Sequence, residues 1–242
     1  MHEKLPETVG LGLPHHDVVG GLKPTLLKAT FKRFCIVLVF GIAFGYIEAA
    51  VVVYLRAIFH PEGFTFPLDF AIDPFSKRML LTEIGREAAT IVIIFTGAWL
   101  FGKNRQQRFA FFLTIFAIWD IFYYVWLKVL LDWPAQISDW DILFLIPTTW
   151  ASPVLAPLLI SLTLLLFAII ILYRDSCARP LKVARLDFSL FILASLIVVA
   201  SFCIAGRHST KHDFRSYFYW PLFAFGHILA IVVFLKCLLK SK

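Results

Sequence analysis

Residues 79–102 read MLLTEIGREAATIVIIFTGAWLFG, an apolar segment of membrane-spanning length with three charged residues near its start. Charged side chains are costly in hydrocarbon, so those inside a span face protein, water or an ion. Glu83, Arg86 and Glu87 are three and four residues apart, which places them on one side of a helix. The segment therefore predicts a membrane span whose polar side is turned towards other helices.

The whole chain has the composition of a membrane protein. Of its 242 residues, 60% are hydrophobic and 17% aromatic, and the mean hydropathy is +0.81. In soluble domains apolar residues make up only about half of the chain. At roughly 20 residues per span plus loops, this length accommodates about six spans. We therefore predict an all-α fold, a polytopic transmembrane helix bundle that forms one membrane domain.

The predicted organisation is a polar segment followed by six spans. Residues 1–33 are predicted to be a cytoplasmic or interfacial segment, and their second part has the pattern of a short basic amphipathic helix on the inner leaflet. Residues 34–239 form the transmembrane domain. The predicted spans cover about 34–58, 79–102, 109–131, 151–173, 186–205 and 217–239.

Three local patterns refine this outline. Gly41, Gly45 and Ala49 recur every four residues and give the first span a face that permits close helix packing. The pair Asp73-Pro74 is typical of an N-cap followed by a first-turn proline, so the second helix is predicted to begin outside the membrane. The apolar stretch 142–150 is too short to span, and it either re-enters the bundle or lies at the interface.

Lys and Arg are concentrated on one side of the predicted membrane. The N-terminal tail, the second and fourth loops and the C-terminal end hold fifteen of them, whereas the opposite side holds six. Because cytoplasmic loops carry the excess of Lys and Arg, both termini are predicted to be cytoplasmic. Topology and anionic headgroups explain the net charge of +7, so the lipid bilayer is the expected partner and nucleic acid is not.

The ionisable residues inside the spans are predicted to gather in the outer half of the membrane. Counting about 1.5 Å per residue from the basic end of each helix places Glu87 about 6 Å, Glu48 about 8 Å and Asp120 about 12 Å below the outer edge. By the same count Glu83 and Lys128 lie at the edge and His227 lies near the midplane. Because four helices place their ionisable residues in the outer half, we predict one polar pocket open to the extracytoplasmic side. It is lined by Glu48, Glu83, Arg86, Glu87 and Asp120, with Tyr124 and Lys128 at its rim and His227 at its floor.

This predicted pocket has more acids than bases, so either some acids hold protons or a proton or small cation binds there. No motif identifies catalytic residues, metal ligands or a cofactor: the four cysteines show no CxxC pairing, and the Glu-x-x-His pairs and His-Glu-x-x-His of known metal sites are missing. The fifth loop is basic although it lies on the outer side. Its residues Arg207, His208, Lys211 and His212 are predicted to contact an anionic group or lipid headgroups.

Three runs resemble segments of an uncharacterised family of bacterial multi-span inner-membrane proteins. They are GYIEAAVVVYLR at 45–56, EIGREAAT at 83–90 and WDIFYY at 119–124. The resemblance covers most of the first 160 residues. It implies a multi-pass protein of the bacterial cytoplasmic membrane and implies no activity.

The sequence leaves three functions open. The acids can bind a proton or small cation in a carrier or conduit, because relays are usually built from intramembrane carboxylates. They can act in a membrane-embedded enzyme on a lipid-linked or extracytoplasmic substrate, as a general base or as ligands of a hard metal. They can also be structural ion pairs in a subunit or assembly factor, whose partner is another protein or a second copy of the chain.

Overall fold

The structure is a computed structural model that describes residues 15–61, 63–64, 66–67 and 74–241, with side chains from residue 26 and, after the last gap, from residue 77. Six of its helices are long and apolar enough to cross a membrane, which confirms the predicted all-α polytopic bundle. These helices are α1 (His15–Phe59), α2 (Pro74–Phe101), α3 (Arg105–Leu131), α4 (Leu155–Ser176), α5 (Arg185–Gly206) and α6 (Trp220–Lys240). The protein is therefore a multi-pass helical membrane protein.

The first helix is longer than the span predicted for it. It runs through 45 residues without interruption, so the basic segment predicted as a separate short helix continues directly into the first span. At 1.5 Å per residue its length is about 68 Å, more than twice the thickness of the hydrocarbon core. The second helix begins at Pro74, as the first-turn proline predicts, while the cap residue Asp73 lies outside the described residues.

Helix α3 lies at the centre of the bundle and packs against α1, α2 and α4. The small residues of α1 make the α1–α3 contact close. A Cβ atom at Gly45 would lie 2.9 Å from the Trp119 carbonyl oxygen, and one at Gly41 would lie 2.7 Å from Ile118 Cγ2. Ala49 is fully buried. The small-residue face thus sets the distance between α1 and α3.

The basic residues meet at one end of the bundle, which we call the basic end (residues 26–33, 102–108, 174–185 and 236–241). Arg33 Nη1 donates to the Phe101 carbonyl at 2.9 Å and to Gln107 Oε1 at 2.8 Å. Gln107 Nε2 donates to Asp175 Oδ2 at 2.6 Å, and the Lys182 amide donates to Ser241 Oγ at 3.0 Å. The α2–α3 loop, the α4–α5 loop and the C-terminal end therefore share one end of the bundle, as the Lys and Arg count requires.

The opposite end carries a short β-hairpin between α3 and α4. Strands β1 (Trp140–Phe144) and β2 (Trp150–Pro153) pair antiparallel, with an irregularity between Ile142 and Phe144. The apolar stretch predicted as re-entrant or interfacial is thus most of this hairpin. It packs against α5, where the end of the helix comes so close that a Cβ atom at Gly206 would overlap the Thr149 carbonyl.

The helices do not pack equally tightly. Helix α2 contacts mainly α3, and α5 pairs with α6. The α5–α6 pair, whose connection contains the 3₁₀ turn Phe214–Tyr217, contacts the remainder chiefly through β2 and α4. This arrangement leaves a space between α2 on one side and α5–α6 on the other.

Candidate functional site

A cavity of about 1390 Å³ occupies this space, lined by residues of all six helices and the hairpin. Its lining on α3 extends from Phe112 to Tyr124, and on α6 from Gly226 to Ala230. On α5 it begins at Ala194. The cavity therefore lies in the half of the bundle nearer the hairpin and does not reach the basic end.

The cavity wall is amphipathic along its depth. Its charged side chains lie towards the hairpin end, whereas the deeper part is lined by apolar side chains such as Phe112, Phe116, Leu164, Phe167 and Ala230. Leu80 and Ile91 on α2 line the cavity and are exposed, and α2 contacts mainly α3 rather than the helices across the cavity. The cavity thus opens along α2, on a helix that spans the membrane.

Arg86 joins two carboxylates at the edge of the cavity. Its Nε donates to Glu83 Oε2 at 2.9 Å, its Nη2 donates to Glu83 Oε1, and its Nη1 donates to Glu48 Oε1 on α1. Thr90 Oγ1 donates to the other oxygen of Glu48 at 3.4 Å. Both ion pairs are mostly shielded, since the side chains of Arg86, Glu48 and Glu83 are 22%, 11% and 16% exposed. One guanidinium therefore forms ion pairs with two carboxylates.

Glu87 and Asp120 accept hydrogen bonds but form no salt bridge among the residues that the structure describes. The backbone amide of Leu145 in the hairpin loop donates to the two Glu87 oxygens at 2.9 and 3.1 Å. Ser161 Oγ on α4 donates to Asp120 Oδ2 at 2.7 Å. Neither carboxyl forms a salt bridge within the described part of the chain. Within the described residues, these two acids thus have no cation at salt-bridge distance.

A second buried ion pair, Arg56–Asp141, was not predicted. Arg56 Nη2 lies 3.2 Å from Asp141 Oδ1, with only 10% and 4% of the two side chains exposed. The guanidinium carbon lies 3.9 Å from the ring centroid of Trp133 and 4.3 Å from that of Phe64. Tyr123 donates its hydroxyl to Asp141 Oδ2 at 3.1 Å. Burial raises the pKa of Asp141, and the Arg56 guanidinium and the Tyr123 hydroxyl oppose that rise.

His227 lies at the apolar end of the polar region, bonded to α4. Thr163 Oγ1 donates its single hydrogen to the Leu159 carbonyl at 2.9 Å. In that arrangement the 2.9 Å contact between Thr163 Oγ1 and His227 Nε2 needs the hydrogen of the imidazole. His227 Nε2 thus donates to Thr163 Oγ1 when Thr163 donates to Leu159, and accepts from Thr163 when it does not.

Seven of the eight residues predicted for the polar pocket line this cavity: Glu48, Glu83, Arg86, Glu87, Asp120, Tyr124 and His227. Lys128 is outside it, because its amino group pairs with Asp132 Oδ1 at 2.7 Å and its side chain is 49% exposed. The four-residue stripe from Asp120 drifts by about 40° per step, so that Lys128 is turned about 80° away from Asp120. Tyr124 is buried next to Tyr123, with ring centroids 4.8 Å apart.

The basic residues of the fifth loop lie at the hairpin end but outside the cavity lining. The His208 ring stacks on Tyr217 with centroids 3.8 Å apart, and Lys211 Nζ lies 4.9 Å from the same ring. Arg207 and His212 are exposed. Their contact with an anionic group or headgroup stays a prediction.

No group of three or more His, Cys, Asp or Glu side chains in the described ranges has an arrangement that could hold a metal ion. Comparison of the chain with known protein families, with curated proteins and with solved structures finds no match. The fold defines the class as a multi-pass helical membrane protein, and the site adds an amphipathic cavity with carboxyl groups in its wall.

Proposed function

We propose that the protein is an enzyme of the bacterial inner membrane that acts on a lipid-linked substrate taken up on the extracytoplasmic side. The observation that supports this proposal is the cavity itself, which joins an apolar deep part to a charged outer part and opens along α2. Its volume of about 1390 Å³ exceeds the roughly 300–1,000 Å³ of most small-molecule pockets. A proton or a small cation alone does not need such a space, whereas an amphipathic molecule fills both parts.

The orientation follows from the basic end. Because Lys and Arg are enriched in cytoplasmic loops, we place the basic end in the cytoplasm and the hairpin end outside. The cavity then opens towards the outer leaflet, with its charged residues nearest the headgroup region. A lipid substrate enters along α2 with its polar group towards the hairpin.

Glu87 and Asp120 are the groups proposed to exchange protons with the substrate. A general acid or base must change its protonation state, and a carboxylate held by a guanidinium is less suited to do so. Glu48 and Glu83 are held by Arg86, and Asp141 is held by Arg56. Within the described part of the chain, the groups that donate to Glu87 and Asp120 are uncharged: the Leu145 amide and the Ser161 hydroxyl.

The test is turnover of a lipid extract by purified protein. Wild-type protein in nanodiscs is incubated with a total bacterial lipid extract, and the lipids are compared by mass spectrometry before and after. We expect one lipid species to be consumed, and Glu87→Gln and Asp120→Asn to lower that rate at least a hundredfold while the folded protein is retained. The control is Asp132→Asn, which changes an exposed acid outside the cavity. Identical lipid profiles for wild type and both variants would contradict the proposal.

A proton- or cation-linked carrier is the second candidate, and the same two acids favour it. Unpaired intramembrane carboxylates are typical of coupling sites, and this cavity extends from the hairpin end to the level of His227. A carrier should produce a flux of protons or cations in proteoliposomes, and Glu87→Gln should abolish that flux. If flux is measured and no lipid is consumed, the carrier function is supported and the enzyme function is contradicted.

A further inference from the structure

The two arginines of the cavity wall are paired with acids, and Lys77, a lining lysine with no salt bridge among the described residues, is exposed near the start of α2. Arg86 binds Glu48 and Glu83, and Arg56 binds Asp141 between two aromatic rings. A phosphate or sulfate entering this region would have to displace one of these carboxylates. Displacement would leave a buried charge without its partner, which is strongly unfavourable. The interior therefore offers little to an anionic head group.

The interior does offer hydrogen-bond acceptors. Glu87 is only 5% exposed, and it and Asp120 each have oxygen lone pairs beyond those used by the Leu145 amide and Ser161. These acceptors require a donor from the substrate. Both a hydroxyl group and an ammonium group supply one.

The interior also offers hydrogen-bond donors. The indole nitrogens of Trp119 and Trp150 are buried and have no acceptor within the described residues, and both side chains belong to the cavity wall. Trp119 is only 5% exposed. The Phe144 ring lies between the two indoles, with centroids 6.1 Å from Trp119 and 5.5 Å from Trp150. A buried indole N–H usually has a partner, so these two donors point to an acceptor on the bound molecule.

We propose that the cavity binds an uncharged, polyhydroxylated head group, which is the chemistry of a sugar. This proposal rests on the function proposed above and specifies its substrate class. Hydroxyl groups both donate and accept, so one head group can serve the carboxyls of Glu87 and Asp120 and the indoles of Trp119 and Trp150. An ammonium group satisfies only the acids, and a phosphate satisfies only the indoles.

The experiment compares three amphiphiles with the same alkyl chain. Wild-type protein in nanodiscs is labelled with a photoreactive octyl glucoside below its critical micelle concentration, and labelled peptides are mapped by mass spectrometry. Unlabelled octyl glucoside, octylammonium and octyl phosphate then compete for labelling. We expect labels on the 112–124 and 140–153 segments, and competition by octyl glucoside at concentrations at least tenfold lower than by the two charged amphiphiles.

Variants test the donors separately from the aromatic surface. Trp119→Phe and Trp150→Phe keep a ring but remove the N–H group, and each is expected to reduce cavity labelling at least threefold. Trp99→Phe is the matched control, because Trp99 is exposed and stacks on Arg108 outside the cavity. Glu87→Gln provides a further variant if a tryptophan replacement does not fold, and it is expected to weaken labelling to a similar extent.

The outcomes separate the two proposals. If octylammonium or octyl phosphate competes best at the cavity, the head-group assignment is wrong while an amphipathic substrate remains supported. If the tryptophan variants label as well as wild type, the indole donors have no part in binding and the assignment is also wrong. If none of the three amphiphiles binds at the cavity, both proposals fail.

Discussion

The carboxylate of Glu48 on α1 accepts a hydrogen bond from Arg86 on α2, 38 residues further along the chain. Arg86 also binds Glu83 on its own helix, so one guanidinium connects two helices that both pack on α3. The connection lies beside the opening of the cavity along α2. It therefore fixes the position of the wall through which a lipid is proposed to enter.

Removing Arg86 is expected to destabilise the fold. Arg86→Met leaves Glu48 buried without its cation, and breaking such a pair costs about 3 kcal/mol of unfolding free energy. Thermal unfolding in detergent, followed by circular dichroism, measures the loss. Lys128→Met is the control, because the Lys128–Asp132 pair is exposed, and no change in melting temperature is expected. An Arg86→Met variant as stable as wild type would show that the pair has no structural role.

The Arg56–Asp141 pair is expected to behave as a unit. Asp141→Ala leaves Arg56 charged between Trp133 and Phe64, so the unfolding free energy should fall by about 3–5 kcal/mol. The double variant Arg56→Met/Asp141→Leu replaces the ion pair with apolar side chains and should lie within about 1 kcal/mol of wild type. A double-mutant cycle on thermal unfolding gives the coupling energy. Additive effects of the single changes would contradict the pairing.

Two glycines should respond oppositely to the same substitution. A Cβ atom at Gly206 overlaps the Thr149 carbonyl, so Gly206→Ala forces α5 away from the hairpin and should cost about 1–3 kcal/mol. Gly85 on α2 faces open space, with no atom within 4 Å of its added Cβ. Gly85→Ala should therefore gain up to about 1 kcal/mol, because alanine is the better helix former. Thermal unfolding of both variants measures the two changes in stability. Equal changes in Gly206→Ala and Gly85→Ala would contradict the prediction.

Glu87 is expected to hold the hairpin in place. Glu87→Ala leaves the Leu145 amide without its acceptor, at a cost of about 1–3 kcal/mol for a buried donor. Glu87→Gln keeps a carbonyl oxygen as acceptor. Hydrogen–deuterium exchange of the 140–153 segment should therefore be faster in Glu87→Ala and unchanged in Glu87→Gln. If both variants exchange at the same rate as wild type, Glu87 does not hold the hairpin in place.

The helical part of the fold could be predicted because hydropathy and span length are dictated by the bilayer. The acids of different spans could be placed at one depth because a helix advances by a fixed distance per residue. Five of the six side chains placed in this way line one cavity, namely Glu48, Glu83, Glu87, Asp120 and His227. A side chain turns about 40° around its helix with each four-residue step, so Lys128 has the depth of the predicted pocket but points away from it.

The hairpin and its ion pair could not be predicted. Strand β1 is only five residues long, and its sequence WDILF shows too short an alternation to be distinguished from an apolar connection. From the sequence alone, Asp141 is one of several acids in the connection after the third span, and Arg56 is one of the six basic residues assigned to the outer side. Their pairing depends on the hairpin folding back over α1 and α3, which is a tertiary contact between residues 85 positions apart.

The contact between Gly206 and Thr149 has an evolutionary consequence. The space beyond the Gly206 Cα is filled by main chain, which no neighbouring side-chain replacement can clear. Related chains that fold with this hairpin should therefore keep glycine at position 206 whatever substrate they use. The residue at position 85 should vary among them. A relative with a larger residue at position 206 is then expected to have a rearranged hairpin and a differently shaped cavity mouth.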